Sequence, residues 1–398
     1  VNDQPDHQPD QPDQPDQPAP PAPPAPPSDA PPVRDPTRRA LLGGAALGAL
    51  AGAGAGGALA AALRDDSGPA PTLAPATTGG PWRHVAPGED LQAAIDAGAR
   101  AIVLGDGTYD LHEPLRPTPG CTIRGVGERT VLRAAADLDA VVAIGAGGPV
   151  GGVTLADLVV DAADRAGLGI DLDIVGTSGN LQGEPDAVCR LDNLWVLDAA
   201  LDGIAYRGTD TQACVTSRVR VRRAQRHGFR VEAPDNVFLA CEATTSGGGG
   251  AGFLVGVAVG GSDGIGAANC HFHACKAWYC RGVGWLVTGP RNTFVSCEAQ
   301  DVAGHGWEVV SPRNSLAACV ADSASSPAVG GRVGAADGFS IEPAEDLALV
   351  GCLSFDRRPG GAAAAQRHGF SVPGALVDAG LLVAPIGWGL LGDLISRR

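Results

Sequence analysis

The chain has 398 residues with a formal charge of −15, 58 glycines, 32 prolines and only 4% aromatic residues. An interior built mainly on Phe, Tyr and Trp is excluded, and the acidic balance argues against a phosphate-backbone partner, so nucleic acid is not expected. Seven aspartates against three arginines lie in residues 1–39, which leaves about −11 on the remainder. Methionine is absent and Lys276 is the single lysine. Both point to a GC-rich coding bias rather than to chemistry.

Residues 1–36 are Gln-Pro-Asp triplets followed by Ala-Pro-Pro repeats. Proline without apolar partners cannot form a core, so this stretch reads as an extended solvated tail. Residues 37–63 place the pair Arg38-Arg39 before an uncharged Ala/Gly/Leu run that ends near Ala58-Leu59-Ala60. That order resembles a twin-arginine export signal, cleaved or retained, which would put the protein outside the cell or at its surface with transient membrane contact. Residues 64–82 read as a linker, 83–380 as the folded domain, and 381–398 as a C-terminal cap or tail.

The domain opens with Asp90-Leu91-Gln92-Ala93-Ala94-Ile95-Asp96-Ala97-Gly98, in which Leu91 and Ile95 form one apolar stripe. Glu89 and Asp90 suit the positive end of a short helix. Ile102-Val103-Leu104, Gly107-Thr108-Tyr109 and Ile123-Arg124-Gly125-Val126-Gly127 then follow. Downstream, Asp157, Asp161 and Asp164 lie close together, as do Asp171 and Asp173. These are the candidate calcium ligands, although an exposed acidic loop is the default for an acidic chain. Arg218, Arg220 and Arg222 alternate with Val219 and Val221, so three guanidinium groups are expected on one outer face, able to bind carboxylates bidentately or simply solvated.

From residue 200 onward the sequence repeats. Taking Cys241, Cys275, Cys297, Cys319 and Cys352 as register, Phe238, Phe272, Phe294, Leu316 and Leu349 stand three residues before. Ala243, Ala277, Ala299, Ala321 and Ser354 stand two residues after, and Asn236, Cys270, Asn292, Asn314 and Leu347 five before. A glycine followed by an apolar residue recurs at Gly203, Gly228, Gly252, Gly284, Gly306, Gly338 and Gly369, at separations of 25, 24, 32, 22, 32 and 31 residues. Repeats of that size mean a solenoid. Short apolar pieces without helical periodicity make it a β-solenoid, with Phe/Leu and Ala ladders pointing inward and the cysteines stacked at a bend, as packing groups rather than disulfides.

The residues from His84 to Ala134 quoted above, together with these repeats, resemble the pectate-lyase-like (pectin-lyase-like) superfamily over about residues 84–372. The resemblance implies an all-β fold, a single-stranded right-handed parallel β-helix with a short N-terminal capping helix. It also implies a polysaccharide or cell-surface glycan as partner and, for an enzyme, lyase- or epimerase-like chemistry. Gly304-His305-Gly306 matches a hydrolase element of that superfamily literally. The same column, however, reads Asp202, His227, Ala251, Val283, His305, Asp337 and His368, which marks a coil corner instead. The densest polar cluster is His271-Phe272-His273-Ala274-Cys275-Lys276. With Phe272 inward, His271 and His273 are expected outward, and Lys276 stacks between Glu242 and Glu298. His271, His273, Lys276 and Glu298 are therefore the candidate catalytic residues, and Arg218, Arg220 and Arg222 the candidate substrate-binding ones. A cross-strand salt ladder, or a non-catalytic binding or adhesive surface, is the competing reading.

Overall fold

A computed structural model describes residues 82–173, 175, 188–208, 211–256, 266–342, 345–357 and 363–398. The expected tail, export signal and linker lie outside the described residues, apart from Trp82.

The described chain is a right-handed parallel β-helix. Each coil contributes three short strands. One coil comprises Val237–Leu239, Glu242–Thr245 and Ala251–Val255, and the next His271–His273, Lys276–Trp278 and Val283–Val287. Each strand pairs in parallel with its counterpart one coil away, as Phe238 does with Phe272 and Glu242 with Lys276. First and second strands join in one 21-stranded sheet because Thr154–Asp161 and Arg190–Leu197 run unbroken through the bend between them. Third strands form a separate 10-stranded sheet. The bend uses left-handed backbone, at Ala240 (φ 51°), Ala274 (φ 52°), Ala318 (φ 52°) and Gly351 (φ 62°).

Alternation along such short strands sends one residue in each inward, and every coil stacks it on the same column. On the first strand Phe238, Phe272 and Phe294 stack with centroids 4.6 and 5.0 Å apart, and Leu316 and Leu349 continue the column. On the third, Phe229, Phe253, Trp285, Trp307, Phe339 and Phe370 form a second, longer stack. The two meet edge to face, as Phe272 meets Trp285 at 84°. All these rings are fully buried. The second strand offers small residues inward, Val196 and Val221 followed by Ala243, Ala277, Ala299, Ala321 and Ser354, and the recurring glycines pack against them. A Cβ on Gly284 would fall 2.8 Å from Ala299 Cβ and 2.6 Å from the Gly306 carbonyl oxygen. A chain with few aromatic residues can thus fill a narrow interior.

All ten cysteines are buried free thiols. Five form the expected column at the bend after the first strand. Cys121, Cys189, Cys214 and Cys270 occupy the Asn column, where Asn292 Oδ1 accepts from the Cys270 amide and Asn314 Oδ1 from the Asn292 amide.

The N-terminal end is closed by the helix Leu91–Asp96, with Leu91 and Ile95 buried and the Asp90 carboxylate accepting from the Ala93 amide at 2.9 Å. At the other end, where a cap or tail is expected, the chain forms a further coil. Leu382–Val383, Ile386–Trp388 and Ile395–Arg397 pair in parallel with Ala348–Val350, Leu353–Phe355 and Phe370–Val372. Leu382 continues the Leu349 column and Ile395 the Phe370 column, so the apolar residues of this segment extend the ladders rather than cover them.

Candidate functional site on the second-strand face

The outward positions of the second strand form two columns. One holds Trp195, Arg220, Glu242, Lys276 and Glu298, each paired with the next across one coil. The other holds Trp278, Gln300, Asp322, Phe355 and Trp388. Lys276 lies between the two glutamates as the register requires, but its ion pair is with Glu298 at 3.3 Å, and it also donates to Gln300 Oε1. Glu242 is taken instead by Arg222 at 2.6 Å and Arg220 at 3.6 Å.

Two tryptophans brace the cations. The Arg222 guanidinium carbon lies 5.2 Å from the Trp195 ring centroid and 5.1 Å from that of Trp278. Arg220 lies over Trp195 at 5.3 Å and Lys276 over Trp278 at 5.6 Å. Cation–π attraction and ion pairing together fix three cations on one face. Arg218 is not among them. It occupies the left-handed bend before the strand (φ 55°), so the alternation that aligns Arg220 and Arg222 does not extend to it, and it pairs with Asp192 at 2.6 Å.

The fold also separates the two expected imidazoles from Lys276. His271 and His273 are outward as expected, with ring centroids 6.3 Å apart, but they stand on the first strand, across the bend at Ala274. Among the described residues no hydrogen bond or ion pair joins either to Lys276 or Glu298.

The carboxyl groups on this face go beyond those the sequence singled out. Asp322, 7% exposed, follows Gln300 in the second column, and Ser323 donates to it at 2.7 Å. Burial raises its pKa above the usual carboxylate range. The Ser323 hydrogen bond opposes that shift, the charge of Asp301 adds to it, Arg357 opposes it and Glu298 adds to it. Gln300 donates to Asp301 at 3.1 Å. Asp322 stands three residues after Cys319, as Trp278 does after Cys275 and Gln300 after Cys297, so the cysteine register could have found it.

The corner histidines are fixed elsewhere. His227 Nδ1 accepts from the Ala251 amide, His305 Nδ1 from the Asp337 amide and His368 Nδ1 from the Asp393 amide, all at 3.0 Å. Asp202 and Asp337 do the same for the amides of His227 and His368, at 3.1 Å. Histidine and aspartate recur in that column because both accept the N–H of the following coil. Arg226 and Arg367 then neutralise the buried aspartates.

Three of the five calcium candidates are committed to arginines. Arg207 pairs with both Asp171 and Asp173, and Arg124 with Asp157 at 2.7 Å. Among the described residues no three His, Cys, Asp or Glu side chains cluster as a metal site. A groove of about 990 Å³ lies at the N-terminal end, between the cap helix and residues 112–119 and 145–150, away from this face.

No family model and no curated protein sequence matches the chain. Solved structures do. The enzymatically active domain of a tailspike protein of bacteriophage CBA120 aligns with a TM-score of 0.55 at 11% identity, over 72% of this chain and 44% of that one. The chain shares the parallel β-helix fold of that domain. It spans less than half of that tailspike domain. The A-module of a mannuronan C-5 epimerase from Azotobacter vinelandii (TM-score 0.47, 15% identity, 77% of this chain, 91% of that one) and the pectate lyase Pel9A (0.45, 13%, 80%, 78%) are more distant. At these identities the fold is what is shared.

Proposed function

We propose that the β-helix binds an acidic polysaccharide along its second-strand face and acts on it by proton-transfer chemistry of the lyase or epimerase kind. The observation that carries this reading is the meeting on one face of braced cations (Arg220, Arg222 and Lys276) with Asp322, a carboxyl whose pKa is raised. The cations suit a sugar carboxylate, and Asp322, which holds its proton more tightly than an ordinary carboxylate, is a carboxyl group suited to proton transfer. In this reading Lys276 and Glu298, an ion pair at 3.3 Å, serve as the catalytic candidates. His271 and His273 belong to the adjoining first-strand face and enter only if a glycan chain spans the bend. The twin-arginine segment supports a secreted or cell-surface setting, where such polymers occur.

The second reading, a non-catalytic glycan-binding or adhesive surface, draws on the pairing itself. Lys276, Glu298, Arg222 and Glu242 already satisfy one another, as in a static salt ladder. Incubation with pectate, alginate and hyaluronan, with and without calcium, separates the two. Ultraviolet absorbance from an unsaturated uronate, or inversion at C5 detected by proton magnetic resonance, is the outcome expected of the enzyme. Binding with neither change would replace it with the binding surface.

A further inference from the structure

The charges of the first outward column alternate strictly, reading Arg220, Glu242, Lys276 and Glu298 on four consecutive coils. All four side chains are partly exposed, between 29% and 37%. Successive coils are separated by about 4.8 Å, so like charges recur every ~10 Å along the axis. We infer that this column selects a glycan bearing one carboxylate per disaccharide over one bearing a carboxylate on every sugar. The inference rests on the reading of this face as glycan-binding.

An extended glycan lying along the axis advances about one sugar per coil, and two coils match one disaccharide. A polymer with alternating uronate and neutral sugars can set its carboxylates opposite Arg220 and Lys276 and its neutral sugars opposite Glu242 and Glu298. A homopolyuronate in the same register carries a carboxylate on the sugars opposite Glu242 and Glu298 as well. Like charges at that range repel, and desolvation under the bound chain strengthens the effect. Beyond Glu298 the column continues as Val320, Leu353 and Ile386, which offer apolar contact and no further charge.

The test is equilibrium binding of length-matched hyaluronan and oligogalacturonate fragments to the full chain at low salt, followed by the variant E242Q/E298Q. The expected result is at least tenfold tighter binding of hyaluronan by the wild type. In the variant the preference should shrink several-fold, mainly because oligogalacturonate binds better. Equal affinity, or a preference for oligogalacturonate, would overturn the spacing argument while leaving a glycan-binding face intact. Binding of neither fragment would overturn it together with the reading beneath it. The wild-type comparison stands even if the variant folds poorly.

Discussion

Trp307 stacks on Trp285 with centroids 4.7 Å apart and planes 3° from parallel, and each indole N–H donates at 3.0 Å to a second-strand carbonyl of the following coil, Val320 and Glu298 respectively. The aromatic ladder is therefore tied to the strand that carries the candidate site. Replacing Trp285 with alanine should cost about 3–5 kcal/mol in denaturant unfolding, from lost burial and the cavity left behind. Trp285→Phe keeps most of the stack but loses the indole N–H bond to the Glu298 carbonyl, and should cost about 0.5–1.5 kcal/mol beyond the smaller ring.

The glycine columns give a sharper contrast. Gly284→Ala drives a Cβ to 2.6 Å from the Gly306 carbonyl oxygen, so about 1–3 kcal/mol of destabilisation is expected. Gly351→Ala meets nothing within 4 Å, and its left-handed backbone is already tolerated by Ala318 one coil earlier. That change should stay within about 1–2 kcal/mol. Thermal melts of the two variants would rank them.

His227 should make stability depend on pH. Burial, opposed by the charge of Asp202, lowers its pKa to about 4, so it is neutral in the folded protein and accepts the Ala251 amide. The unfolded chain takes up that proton near pH 6.5, so the unfolded state binds more protons between these values and stability falls as pH is lowered. The contribution is complete above about pH 6.5 and is lost progressively down to pH 4, by up to about 3 kcal/mol. Urea midpoints across this window should slope in the wild type and flatten in His227→Gln.

The cysteine columns predict silent thiols. A thiol reagent should label none of the ten in the native protein and all ten in guanidinium, and reductant should leave the melting temperature unchanged.

The ladders were legible because each coil repeats one residue at a fixed offset from Cys241, Cys275, Cys297, Cys319 and Cys352. The same offset carries Asp322, but there it coincides with the start of the long segment before Asp337, and a loop reading hides a strand residue. Trp195 was harder to find, since its strand Arg190–Leu197 has neither the cysteine nor the phenylalanine of the repeat. Its place against Arg220 follows only from pairing between coils. The bend explains the remaining departures. A single left-handed residue turns the strand direction, and it parts Arg218 from Arg220 and His273 from Lys276 although each pair is close in sequence.

The central claim is that the cations of the second-strand face hold an acidic glycan. Its most direct test is calorimetric titration of hyaluronan fragments into the wild type and into Arg220→Ala/Lys276→Ala. These two side chains sit in partly exposed ion pairs worth little to folding, so the melting temperature should barely move while affinity falls at least tenfold. Unchanged affinity in a folded double variant would contradict the account.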